Sequence, residues 1–228
     1  MYAVSLTNVL KRFSNGSEMK VLFENMDFHV TEGELVVISG GEKTGKSTLL
    51  RMIAAMTPPN KGTVKVLGKD LLALKKRPEW RLDNIGYITN EGALIPYLTP
   101  KQNLLLGIEA DDPIYRVKEN EAEQILLDLG FTFESMNETL EGLSSKDQIL
   151  ATIARIFMTN PKLILADEPT KELTGNEGNE VLTQLFRFAR KKGSTIIVIS
   201  NDPTIIEEAD RFYKLKNCQL SEEKNEAV

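Results

Sequence analysis

The chain has 228 residues, 28 lysines and arginines against 33 aspartates and glutamates, a net charge of −5, and 41% hydrophobic residues. That describes one generous domain able to bury a core, with an acidic balance that argues against bulk attraction to nucleic acid. No apolar run approaches the ~18 residues of a bilayer span, no signal-peptide pattern opens the chain, and a single cysteine (Cys218) and single histidine (His29) exclude a disulfide framework and argue against a His-built metal site.

Taken in order, residues 1–30 alternate loosely and read as short strands, with turns at Ser14-Asn15-Gly16 and Thr31-Glu32-Gly33-Glu34. Leu35-Val36-Val37-Ile38-Ser39 is an apolar, β-branched strand that runs into Gly40-Gly41. A helix is expected over 47–56, ended by Pro58-Pro59-Asn60, and further strand signals lie over 62–67 and 84–88. From about residue 92 to 143 helical patterns take over, at 101–106 and 116–129. A strand–helix rhythm then resumes: helix 146–158, strand 163–166, helix 178–192, strand 195–200 and a short helix at 203–209. Alternation of this kind implies a mostly parallel sheet covered by helices, with a helical insertion between two halves of one α/β core. The tail from Ser221 reads as solvated, and Trp80 as a packing or subdomain-surface residue.

The strongest signal is Gly40-Gly41-Glu42-Lys43-Thr44-Gly45-Lys46-Ser47, with an apolar strand before it and a helix from Ser47-Thr48 after it. It fits the phosphate-binding pattern G-x-x-x-x-G-K-[ST]. Glycines let backbone N–H groups curl around phosphate oxygens, and the helix start adds its free donors and positive dipole end. Lys46 would supply a full charge to the β- and γ-phosphates, and the Ser47 hydroxyl would ligate Mg²⁺. The plain alternative is a glycine turn that opens a helix. Leu163-Ile164-Leu165-Ala166 delivers Asp167 to the carboxyl end of a buried strand, where open α/β sheets bind ligands. Asp167 is the expected metal carboxylate. Glu168, expected to point to the other face, is the expected base for an attacking water. Two solvated acids capping a strand is the alternative.

Leu165-Ala166-Asp167-Glu168-Pro169-Thr170 resembles the Walker B segment of ATP-binding cassette (ABC) proteins, and the likeness covers nearly the whole chain. Leu143-Ser144-Ser145-Lys146-Asp147 stands in the place of the LSGGQ signature, followed by Ile153-Ala154-Arg155 and Asn160-Pro161-Lys162. Ile85-Gly86-Tyr87-Ile88-Thr89-Asn90 aligns with the strand entering the Q-loop, with Leu94, Pro96, Leu98-Thr99 and Asn103 after it. The segment 168–174 aligns with the D-loop, and Ile199-Ser200-Asn201-Asp202 with the switch. The nearest group resembles small cassettes of lipoprotein release, macrolide or peptide export and bacterial division.

The resemblance implies a P-loop NTPase with an ABC-type ATPase core, an antiparallel β subdomain and a helical subdomain. Core and β subdomain would occupy 1–90 and 149–228, and the helical subdomain about 91–148. It implies ATP and Mg²⁺ as ligands, a second cassette that pairs head to tail, and polytopic membrane subunits as partners. No nucleic-acid partner is implied, and the place would be cytoplasmic, on the inner face of the membrane. Residues 40–48 would bind nucleotide. Phe13 falls where the family stacks an aromatic on adenine, although a strand-edge core aromatic is the other reading. Ser144 would meet a γ-phosphate, and Asn90 and Asn201 would stand at the Q-loop and switch positions, Asn90 also near the metal.

Departures from the family pattern are concentrated in the parts that trigger hydrolysis. Asn90 replaces glutamine, Asn201 replaces histidine, Thr174 replaces the D-loop aspartate, and both signature glycines are gone. Lys43 takes the place of a frequent glycine. Asp147 adds a negative charge to the signature, which Lys146 could offset. Tight ATP binding with slow turnover is the expectation, with a lean toward pairing with an unlike cassette. Two other functions are weighed: an ATP-binding cassette that gates a membrane complex without moving solute, and a non-transport ABC ATPase acting on DNA or the ribosome.

Overall fold

A computed structural model of the chain describes residues 1–15, 18–89 and 94–223. β1 (Tyr2–Asn15) and β2 (Glu18–Thr31) form one long antiparallel pair, not the short strands expected. Register shifts between Tyr2 and Val4, Leu6 and Val9, and Lys11 and Arg12 explain the misreading, because each bulge resets the two-residue alternation. β3 (Leu35–Gly40) leads into α1 (Lys46–Ile53), which stops short of the expected end because Ala55 turns left-handed at φ 59°. β4 (Lys61–Val66) joins the free edge of β1, and β5 (Lys69–Asp70) closes this four-stranded antiparallel sheet.

α2 (Arg77–Asn84) was not expected. It buries none of its residues, so it carries no apolar stripe to read. β6 (Ile85–Thr89) precedes the helices α3 (Pro100–Leu105), α4 (Tyr115–Asp128) and α5 (Phe133–Asn137). Then come α6 (Ser145–Phe157), β7 (Leu163–Asp167), α7 (Glu177–Lys192), β8 (Thr195–Ile199), α8 (Pro203–Glu207), β9 (Arg211–Lys216) and β10 (Gln219–Glu223). β9 and β10 were also unexpected; Ser221 and the two residues after it pair with β9 and are not a free tail.

The larger sheet has the order β10-β9-β3-β8-β7-β6, parallel from β9 to β6, with β10 antiparallel at the edge. Its alternation sorts the core into two layers. Val36, Ile38, Leu165 and Ile197 pack on α1 and the antiparallel sheet, while Val37, Ile164, Ala166 and Val198 pack on α6, α7 and the α3–α5 segment. Arg155 of α6 donates to the carbonyls of Leu104 (2.7 Å) and Leu106 (3.2 Å), tying the end of α3 to the core. Asn103, fully buried, holds the preceding loop through both the N–H (2.7 Å) and the carbonyl (3.0 Å) of Ile95.

Candidate functional site

β3 and β7 sit one strand apart, with β8 between them, so their carboxyl ends open onto the same space. The loop from β3 to α1 passes so close to β9 that a Cβ on Gly40 would meet the Leu215 carbonyl oxygen at 2.6 Å. Gly45 is left-handed at φ 109°, and a Cβ there would meet the Phe23 ring at 3.1 Å. These two glycines are required by the path of the chain. Lys43 is left-handed too, at φ 58°. That conformation costs lysine about 1–2 kcal/mol. Thr44 closes the loop by donating its hydroxyl to the Gly41 carbonyl at 2.9 Å.

α1 begins with no side-chain cap and no acidic residue in its first turn. Its free N–H groups and positive end therefore face the cleft. Lys46, only 7% exposed, donates to the carbonyls of Gly40 (2.8 Å) and Gly41 (3.0 Å). Its ammonium also lies 3.3 Å from Glu168 Oε1. The Ser47 hydroxyl donates to Asp167 Oδ1 at 3.0 Å. Burial, above all, pushes the Asp167 carboxyl up, and the Glu168 charge adds to it, while the Ser47 bond and the charges of Arg51 and Lys46 oppose them. A hydroxyl and a carboxylate in contact, both hard oxygens, suit a small hard cation that draws its other ligands from phosphate and water. The residues present fit Mg²⁺.

Glu168, expected on the other face of the strand, instead brings its carboxylate to Lys46 of the loop. Its backbone is left-handed at φ 46°, which brings the carboxylate back over the loop. Oε1 faces Lys46 and Oε2 lies 3.3 Å from Lys171. The N–H of Lys171 donates to the Glu168 carbonyl at 3.2 Å and closes a turn that contains Pro169.

Phe13 lines the cleft, of about 480 Å³, together with residues 42–48 and Glu168. The residue is 45% exposed, so the core-aromatic reading fails. Lys11, nearly buried, holds its ammonium 4.6 Å from the ring centroid and donates to the Pro58 carbonyl at 2.8 Å. Asn201 accepts the Gly40 N–H at 3.1 Å and lines an adjoining cavity with Gly41, Lys46 and Lys171. Thr48 lines the main cleft. Asn90 lies outside the described residues.

Ser144 lines neither cavity. It caps α6, accepting the Asp147 N–H at 3.1 Å while its hydroxyl donates to Asp147 Oδ2 at 2.8 Å. Lys146 pairs with Glu180 of α7 and also feels the Asp147 charge, which adds to the pull of Glu180 in raising its ammonium. Three further residues at the site were not singled out in the sequence. Lys20 and Lys171 line the cleft. Tyr87 buries its hydroxyl near Asp167 and Arg51, without a hydrogen bond of good geometry among the described residues. Burial first, and the Asp167 charge second, push that hydroxyl up to about 12.

The family profile described as ABC transporter matches residues 23–171. The chain belongs to the ABC transporter family. It is an ATP-binding subunit of such a transporter, an ATPase by family, as the sequence resemblance implied. HrtA of Staphylococcus haemolyticus, named for ATP binding in hemin import, is 29% identical over 96% of this chain and 99% of its own length. HrtA of Staphylococcus aureus is 31% identical over 96% of this chain and all of its own. The ATP-binding/permease protein MacB of Salmonella choleraesuis, named for macrolide export, is 30% identical, and the chain spans 34% of its length. Among solved structures, the dimeric MJ0796 cassette bound to ADP and Pi superposes with a TM-score of 0.84 at 29% identity, over 97% of this chain and 98% of that one.

Proposed function

We propose that the cleft binds Mg·ATP and that this chain turns it over slowly. The observation that carries the reading is the meeting of two separate strands: Ser47 on Asp167 at 3.0 Å and Lys46 on Glu168 at 3.3 Å. Residues 40–48 cradle the triphosphate, Lys46 takes the β- and γ-oxygens, and Phe13 carries the base. Ser47 and Asp167 hold the metal, which supplies charge neutralisation at the phosphates. Glu168 orients and deprotonates the water, Asn201 borders the same space, and Asn90 keeps the Q-loop role that the resemblance implies.

Slow turnover follows from the trigger residues. The Asn201 side chain carries no charge and is engaged by the loop. The Ser144 hydroxyl already donates its hydrogen bond to Asp147, so a second cassette meeting α6 would find a capped, acidic helix start. Removing one donor to the transition state commonly costs ~10²–10³ in rate. The same contact supports pairing with an unlike cassette whose own signature is intact. Among the described residues no helix is long and apolar enough to cross a membrane. We place the chain on the cytoplasmic face, docked through its α3–α5 segment onto a polytopic membrane subunit.

Calorimetry with MgATP tests the binding: a clear isotherm that Lys46→Ala abolishes supports it, and no heat with the unaltered chain overturns it. Steady-state ATPase activity of the complex with its membrane subunit tests the rate, and a turnover of several per second contradicts the slow reading.

A further inference from the structure

We propose that Lys171 is a second phosphate-facing cation of this site, a catalytic residue that neutralises charge developing on the γ-phosphoryl oxygens. The inference rests on reading the cleft as an Mg·ATP site. Glu168 stands between two ammonium groups, Lys46 on Oε1 and Lys171 on Oε2, each at 3.3 Å. Lys46 is nearly enclosed, whereas the Lys171 side chain is 58% exposed and able to swing. Its backbone is not free: the turn through Pro169, closed from the Lys171 N–H to the Glu168 carbonyl at 3.2 Å, fixes where the side chain starts.

Lys171 lines both cavities at the loop, the main cleft with Phe13 and the adjoining one with Gly40 and Asn201. In the adjoining cavity Lys46 and Lys171 are the two basic residues among those described. Asn201 can offer an amide but no charge. Phosphoryl transfer spreads charge over three equatorial oxygens, and a positioned cation there is a principal source of rate. A phosphate oxygen entering the loop competes for Lys46, which now donates to two loop carbonyls. Lys171 then supplies the charge on the side of Glu168.

The step balances without it changing protonation. The water oxygen bonds to the γ-phosphorus as the bond from that phosphorus to the β–γ bridging oxygen breaks. ADP departs with the electron pair, and the water proton passes to Glu168. Lys171 remains an ammonium throughout and acts by charge alone.

The test uses the full-length chain with Lys171→Met and Lys171→Arg. Single-turnover hydrolysis of ATP is read beside ATP affinity by calorimetry, and capture of ADP with aluminium fluoride is read beside capture of ADP with beryllium fluoride. Methionine keeps the side chain's bulk and removes its charge. Expected are a rate lowered about 10- to 100-fold with ATP affinity changed less than about threefold, weaker capture of the aluminium fluoride complex alone, and substantial recovery with arginine. An unchanged rate with unchanged capture overturns the proposal. A raised rate also overturns it, since it would mean that Lys171 only restrains Glu168. If the unaltered chain binds no ATP, the reading of the cleft fails and this proposal with it; ATP binding that persists while the Lys171 variants behave like the parent sinks this proposal alone.

Discussion

Two helix starts in this molecule offer the same raw material and use it in opposite ways. α1 opens from a left-handed glycine with no cap and no acid in its first turn, so its N–H groups remain available to an anion. α6 opens from Ser144, which accepts the Asp147 N–H, and Asp147 brings a carboxylate to the same turn. One helix keeps its dipole for a ligand; the other satisfies it internally. Whether a helix start can receive phosphate is thus decided by the two or three side chains around it, not by the helix. In this chain the Walker face is prepared and the signature face is closed.

Changes on the prepared side carry the largest effects. Lys46→Ala should weaken MgATP binding by at least about 100-fold, the ~3 kcal/mol of charge-assisted phosphate bonds lost. Calorimetry reads it, and a smaller loss would mean the helix start does most of the work. Gly45→Ala forces a Cβ toward the Phe23 ring at a φ of 109°. It should cost about 2 kcal/mol in denaturant unfolding and weaken nucleotide binding with it. On the closed side, Asp147→Asn removes the carboxylate and keeps an acceptor. It should lower stability by less than about 1 kcal/mol and, in a Glu168→Gln background, raise the fraction of dimer that ATP induces, read by sedimentation. A fall in that fraction would break the contrast between the two helix starts.

A fourth change serves as a control far from both. Hydrogen bonding to Arg211, chiefly, holds the Glu222 carboxyl below its ordinary value. Its contribution is therefore present above the ordinary carboxylate range and is lost as pH falls through the lowered value. Glu222→Gln should flatten the acid limb of a Tm-against-pH profile by less than about 1 kcal/mol, because the pair is exposed. ATP binding should not change.

The phosphate loop and the strand carrying Asp167 were legible because their spacing is a backbone requirement written in residue types. Gly40 and Gly45 answer to close approach and a positive φ. The capping of α6 by Ser144 is present in the same Ser-x-x-Asp spacing that carries the Asp147 charge. What was not legible depends on chain reversals. The left-handed Glu168 sets its carboxylate between Lys46 and Lys171, and no periodicity announces that. The turn that sets Lys171 beside Glu168 is visible only once Pro169 is placed. Bulges hid the length of β1 and β2, the lack of an apolar stripe hid α2, and interleaved charges hid β9 and β10.

Lys11 reaches the Pro58 carbonyl, and the N–H of Arg12 donates to Asn60 Oδ1 at 2.8 Å. Residues 58–60 follow, after the short segment 54–57, on the helix that springs from the glycine loop. The aromatic ring and the anion cradle are thereby mounted on one frame, like the jaws of a caliper locked at a single opening. A ligand that uses both must bridge ring and cradle, so loosening Lys11 from Pro58 or Arg12 from Asn60 would slacken the hold at each end together.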